Sequence, residues 1–186
     1  MPARLAIALQ EAGWWVRSEI IWAKPNPMPE SVTDRPTSSH EKIYLLTKAG
    51  RYFYDADAVR EKAAPWNSSK GFNEDGQSKR NIEGRLGNRE DKEQSGRNLR
   101  NVWTIATQPY PEAHFATFPE ALPMKCIMAG TKQGDTVLDP FSGSATTGLV
   151  ALKLGRKYIG IELNPEYQEL AIKRIQKEAE QGKLFG

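Results

Sequence analysis

The sequence predicts an α/β, Rossmann-like fold, and three observations carry that prediction. The Gly-rich turn Ser142-Gly143-Ser144-Ala145-Thr146-Thr147-Gly148 separates a short buried run, Thr136 to Leu138, from a helical stretch. A second short run, Tyr158 to Ile161, follows that helix and ends on Glu162. Asn164-Pro165 then caps a last helix that carries Tyr167, Leu170, Ala171 and Ile175 on one face. Strand, helix, strand, helix implies a parallel β-α-β unit with a right-handed crossover.

The other elements follow in chain order. Leu5, Leu9 and Ala12 recur at helical spacing ahead of Gly13, so Pro2 to Ala12 is an amphipathic helix with a glycine C-cap. Trp15 to Ala23 is rich in Trp, Val and Ile and stops at Pro25-Asn26-Pro27, the pattern of a buried strand that ends in a loop reaching Ser39. Ile43 to Thr47 and Arg51 to Tyr54 flank Ala49-Gly50 and suggest an antiparallel hairpin. From Asn67 to Arg100 only Phe72, Ile82, Leu86 and Leu99 are sizeable apolar residues, too few to build a core alone. Pro119 to Ala129 reads as a helix closed by Gly130, and Gly143 to Leu154 as a turn and helix stopped by Gly155. No internal repeat is visible.

Composition excludes several classes. With 26 basic and 23 acidic residues among 186, the net charge is only +3, so any basic surface is local. A single cysteine, Cys126, excludes an internal disulfide framework. No stretch approaches the roughly 18 apolar residues of a bilayer span, and the N-terminus has no h-region or cleavage site. These features predict one domain in a reducing, cytoplasmic compartment, with no membrane contact. His40 and Glu41 have no third and fourth ligand at a suitable spacing, so no metal is expected. Trp14 and Trp15 read as core aromatics.

The densest chemistry lies in Asp139-Pro140-Phe141-Ser142-Gly143-Ser144-Ala145-Thr146-Thr147-Gly148. Small residues between a strand and a helix let backbone amides approach a ligand closely. Glu162 stands about 20 residues on, at the end of the next strand, where a doubly wound nucleotide-binding fold places the carboxylate that accepts from ribose hydroxyls. A tight turn beside a solvated glutamate is the bland reading of either half, and the pairing argues against it. A nicotinamide dinucleotide is the rival ligand, because Gly143, Ala145 and Gly148 align loosely with its fingerprint. Asp139 and Phe141 at the strand end suit a cationic sulfonium ligand with an adenine face better than a pyrophosphate, and no second mononucleotide half follows Glu162.

The runs Thr136-Val137-Leu138-Asp139-Pro140-Phe141-Ser142-Gly143-Ser144-Ala145-Thr146-Thr147-Gly148 and Tyr158-Ile159-Gly160-Ile161-Glu162-Leu163-Asn164-Pro165 resemble the S-adenosylmethionine site of the N4-cytosine and N6-adenine DNA methyltransferases. The resemblance implies a cofactor contact set of Phe118, Asp139, Pro140, Phe141, Gly143, Ala145, Thr146, Thr147, Glu162 and Asn164, with Glu162 on the ribose. Ala145 stands where the family usually has a second glycine. In the permuted group, a cofactor segment precedes the turn. His114-Phe115-Ala116-Thr117-Phe118-Pro119-Glu120-Ala121-Leu122-Pro123 is similar to it and leans toward the cytosine-N4 branch. Phe118 is its implied contact, near the methionine part, and His114 receives no chemical role. Ile20-Ile21-Trp22-Ala23-Lys24-Pro25-Asn26-Pro27 and His40-Glu41-Lys42-Ile43-Tyr44-Leu45-Leu46 are similar to the strands and loop beside the family's target-base pocket.

By position, residues 67–100 correspond to the family's target-recognition region. The resemblance thus divides the chain into 1–66, part of the catalytic half; 67–100, a flexible basic insert; and 101–186, the cofactor half. Lys79, Arg80, Arg85, Arg89, Arg97 and Arg100 are the implied contacts to double-stranded DNA, on a segment ordered when phosphates neutralise it. A bacterial or phage-encoded protein of a restriction-modification system is the implied setting.

The family's catalytic tetrapeptide, an Asp, Asn or Ser followed by Pro-Pro and an aromatic, does not occur in the sequence. Asn26-Pro27-Met28-Pro29 and Gln108-Pro109-Tyr110-Pro111 hold fragments of it without the Pro-Pro-aromatic order. The fold is therefore expected to be incomplete, lacking a central strand between Val137 and Ile20-Ile21, with open edges on both neighbours and a separate chain as one source of the missing strands. Three readings follow: a methyltransferase or a fragment of one, a catalytically inactive remnant that binds DNA or cofactor, and a dinucleotide-dependent oxidoreductase.

Overall fold

The computed structural model describes residues 2–62, 96–108 and 118–180. They belong to two compact units, Met1–Asp55 with Arg100–Gly186, and Ala56–Leu99. In chain order the elements are α1 (Pro2–Glu11), β1 (Trp15–Ala23), β2 (His40–Thr47), β3 (Val102–Thr104), α2 (Ala121–Gly130), β4 (Thr136–Asp139), α3 (Thr146–Lys153), β5 (Lys157–Gly160) and α4 (Pro165–Glu180).

Helix α1 stops where the glycine places it. Gly13 has φ +83°, its N–H donates to Gln10 O, and the Trp14 N–H donates to Leu9 O, which satisfies carbonyls the helix leaves open. The chain then enters β1, the centre of a three-stranded sheet of order β2-β1-β3. Strand β1 runs antiparallel to β2, with Ile20 opposite Ile43, and parallel to β3, with Trp22 opposite Trp103. Those two indoles are 3% and 5% exposed, and each N–H reaches a backbone carbonyl, Ile105 O at 2.8 Å and Arg100 O at 2.7 Å. Burial with the indole donor satisfied is what makes this pair a core.

Four expectations need correction here. Arg51 to Tyr54 forms no strand and leaves the outer edge of β2 unpaired by it; the chain instead leaves the sheet, and the Asp55 N–H donates to Ala129 O at the end of α2. Trp15 is 53% exposed, and Lys48 lies over the Trp14 ring at 4.0 Å, so Trp15 is a surface residue and β1 is only half-buried. Strand β3 was not anticipated; its Val-Trp-Thr run is three residues long. It also occupies the second edge of β1 from Ile21 to Ala23, so the edge expected to be open there is paired.

The second sheet is the parallel pair β4 and β5, with Val137 opposite Tyr158. Its inner face packs on α2 and α3: Ile127, Val150 and Ala151 form a buried cluster with Met124, Val137, Leu154 and Tyr158 against it. Leu149 and Val150 are fully buried, the consequence of an α3 sequence that is apolar through Leu149-Val150-Ala151. The other face is open: Leu138, Ile159 and Ile161 are 58%, 54% and 56% exposed, so β4 is covered on one side rather than buried. Among the described residues no ladder joins the two sheets.

Candidate functional site

The two loops at the ends of β4 and β5 are fastened to one another. The ladder runs past the strand ends, since the Ile161 N–H donates to Asp139 O and the Ser142 N–H to Ile161 O, both at 2.9 Å. Asp139 also accepts the Phe141 N–H on Oδ1 at 3.0 Å, which starts the turn. Glu162 then bridges both loops: Oε2 accepts from the Gly143 N–H at 2.8 Å and Oε1 from the Asn164 N–H at 2.9 Å. These donors, Asn164 first and Gly143 second, hold the Glu162 carboxyl below its ordinary range, because they favour its charged form. Asn164 in turn caps α4, its Oδ1 accepting from the Glu166 N–H at 2.9 Å.

Glycine is required at particular points of this arrangement. Gly143 has φ +49°. A Cβ on Gly148 would collide with the Tyr158 ring, and one on Gly160 would fall 2.6 Å from the Tyr158 hydroxyl and 2.7 Å from Ser142 Oγ. Tyr158 and Ser142 are hydrogen-bonded at 2.6 Å, so the strand aromatic locks the turn to β5. Ala145 is the one non-glycine residue with positive φ among the described residues, at φ 59° and ψ 36°, a conformation that costs an L-residue on the order of 1–2 kcal/mol. It is nevertheless 1% exposed.

The residues expected from sequence divide between three places: the paired loops, a cleft along β4, and the buried start of α3, where Ala145 and Thr146 lie. Asp139, Pro140, Phe141, Gly143, Glu162 and Asn164 share the paired loops, with Phe141 88% exposed and Leu163 97% exposed. Phe118 and Thr147 line an open apolar cleft of about 460 Å³ along β4, together with Ile43, Cys126 and Val137. Thr146 is buried and turned toward α4, where Arg174 donates to its Oγ1 at 2.9 Å. Of the basic residues, Lys79, Arg80, Arg85 and Arg89 lie outside the described residues, as do His114, Tyr110 and residues 67–95 of the insert. Arg97 forms a backbone bridge with Glu61 and an ion pair to it at 2.9 Å. The Arg100 carbonyl accepts from Trp103. Asn26 is held by Thr107, accepting its N–H at 3.0 Å, which ties a fragment of the tetrapeptide pattern into the loop backbone.

Sequence reading placed Tyr158 and Leu163 in the run that resembles the cofactor site without giving either a role, and it missed Arg174. A strand aromatic opposite a helical glycine was a usable signal for Tyr158; nothing in the order of residues signalled Arg174.

The DNA methylase family model for N6 and N4 methyltransferases matches residues 1–173. The chain belongs to this family. It is 49% identical over 178 residues to the Type II methyltransferase M.Cfr9I of Citrobacter freundii, covering 96% of this chain and 50% of that protein. It is 46% identical over 175 residues to the Type II methyltransferase M.SmaI of Serratia marcescens, covering 94% of this chain and 51% of that one. The chain thus spans about half the length of the curated relatives it matches. Among solved structures, the M1.HpyAVI–SAM complex is similar with a TM-score of 0.62 at 28% identity, over 93% of this chain and 68% of the other. That likeness places the α/β architecture described above within the DNA methylases.

Proposed function

We propose that this chain holds S-adenosylmethionine for methylation of an exocyclic amine, N4 of cytosine or N6 of adenine, in double-stranded DNA. The observation that carries the reading is the carboxylate of Glu162 set against the Gly143 amide, at the ends of adjacent parallel strands. The residues fit the cofactor. Glu162 Oε2 accepts from the Gly143 N–H and Oε1 from the Asn164 N–H, and the carboxylate, with about four lone-pair sites, keeps capacity for ribose hydroxyls. Phe141 and Leu163, one in each loop, offer apolar surface to an adenine. Membership of the DNA methylase family and the likeness to the M1.HpyAVI–SAM complex support the same assignment. A dinucleotide reading has only the loose glycine spacing behind it.

When bound, the cofactor supplies an electrophilic methyl on a sulfonium sulfur. Glu162 and Gly143 fix the nucleoside end, and Phe118 and Thr147 flank the cleft along β4. Lys79, Arg80, Arg85 and Arg89 of the segment 67–100 contact phosphates in this reading. The sequence holds no Pro-Pro-aromatic tetrapeptide to stack on a flipped base and accept hydrogen bonds from its amine. Attack therefore requires that element from a further segment or a separate chain.

Tritiated-methyl incorporation into DNA tests this. The chain by itself incorporates none, and adding the N-terminal segment of a close relative restores incorporation. Incorporation by the chain alone would place the catalytic group within these residues, and none after supplementation would count against the methyltransferase reading.

A further inference from the structure

Helix α4 sends one cation back to the turn. The Arg174 guanidinium donates from Nη1 to Ser144 O at 3.2 Å and to Thr146 Oγ1 at 2.9 Å, and lies 3.5 Å from Ser144 Oγ. Its Nη2 meets Glu120 Oε1 at 3.4 Å, and Glu120 also takes Lys153 at 3.0 Å, which reaches Glu178 at 3.5 Å. Arg174 is 16% exposed at its side chain, and Ser144 and Thr146 are buried. The residue enclosed between those two contacts is Ala145, at φ 59°.

The position is electrostatically odd. A cation at a helix N-terminus opposes the helix dipole, and Arg174 sits at the start of α3, where no side chain caps the helix. Glu120 offsets the charge. What the guanidinium gains in exchange is a grip on both sides of the left-handed residue, the carbonyl before it and the hydroxyl after it. A glycine would take that conformation unaided; an alanine needs an outside constraint.

We propose that Arg174 is a positioning residue that compensates for Ala145, holding the turn in the left-handed conformation that aims its backbone at the cofactor. This rests on the cofactor reading of the turn, but its structural half is separately measurable. Arg174 touches no reacting atom and acts through Ser144 and Thr146.

The test is a double-mutant cycle on the full chain, R174M in the native and A145G backgrounds, with S-adenosylhomocysteine as calorimetric probe. In the native background R174M weakens binding about tenfold, and in the A145G background it changes binding less than about twofold relative to its own A145G parent. A role confined to general stability would give equal losses in both. Hydrogen exchange at the Ala145 and Leu149 amides, which bond Ser142 O and Ala145 O, reads the turn without any ligand. R174M should speed it about tenfold in the native background and little in the A145G background. Thr146→Val, which removes the hydroxyl partner and leaves Arg174 in place, should show the same dependence on residue 145 and serves if R174M does not fold. Equal losses in both backgrounds, or none in the native background, would overturn the proposal. Absence of binding by the parent chain would overturn the cofactor reading, and the exchange cycle would then still decide the role of Arg174.

Discussion

The carboxylate of Glu162 accepts the Gly143 N–H at 2.8 Å, so the acidic residue after β5 is part of the turn after β4 rather than a neighbour of it. Its replacement should act twice, removing an acceptor for the cofactor and freeing two backbone amides. Glu162→Ala is expected to weaken S-adenosylhomocysteine binding by about tenfold or more. Calorimetry on the folded variant measures this, and unchanged affinity would return Glu162 to a purely structural role.

The same bridge has a pH signature. Because its folded carboxyl titrates below the ordinary 4.5, Glu162 contributes stability that is complete above that value and fades as pH falls through the depressed one. Urea midpoints collected downward from about pH 6 should drop more steeply for the native chain than for Glu162→Gln. Parallel acid slopes would contradict the bridge.

Gly148→Ala should destabilise the chain by about 1–3 kcal/mol, because the new methyl meets the Tyr158 ring. Removing the ring removes the clash. In a Tyr158→Ala background the added cost should fall below about 0.5 kcal/mol, as denaturant melts of the four-member cycle would report.

Phe141 separates binding from folding, being 88% exposed. Phe141→Ser is expected to leave unfolding free energy within about 0.5 kcal/mol, yet to weaken S-adenosylhomocysteine by about 0.5–1.5 kcal/mol through lost ring contact. Loss of stability with intact binding would invert its role.

For DNA, replacing Lys79, Arg80, Arg85 and Arg89 with Ser should weaken binding of duplexes irrespective of sequence and flatten the log–log salt slope by up to about 4. Arg97 should behave differently, since its guanidinium is paired with Glu61 at the bridge between their backbones. An unchanged slope in the fourfold variant would take the insert out of the DNA interface.

Sequence patterning made the β-α-β unit readable because its signals are local: Gly143 and Gly155 adopt positive φ where the turn and the helix stop need it, and Asn164 caps α4. The first helix was equally legible through Gly13. What failed depended on partners far along the chain. Arg51 to Tyr54 has the composition of a strand, but it forms no ladder on the outer edge of β2, and the Asp55 amide goes to Ala129 instead. Trp15 looked like core because indoles usually are, whereas its alternation in β1 turned it outward. In the site, Glu162 and Gly143 could be matched as a pair, but the contact of Arg174 with Thr146, 28 residues apart, is made by one long side chain reaching back to the turn, which no local pattern encodes.

Calorimetric titration of the native chain with S-adenosylhomocysteine and with NAD tests the cofactor assignment most directly. The paired loops at Gly143 and Glu162 predict saturable one-site binding of S-adenosylhomocysteine, with NAD weaker by about tenfold or more, since Asp139 and the exposed Phe141 at the strand end suit a sulfonium ligand with an adenine face better than a pyrophosphate. NAD binding as tightly, or no S-adenosylhomocysteine binding by the folded chain, would contradict the assignment.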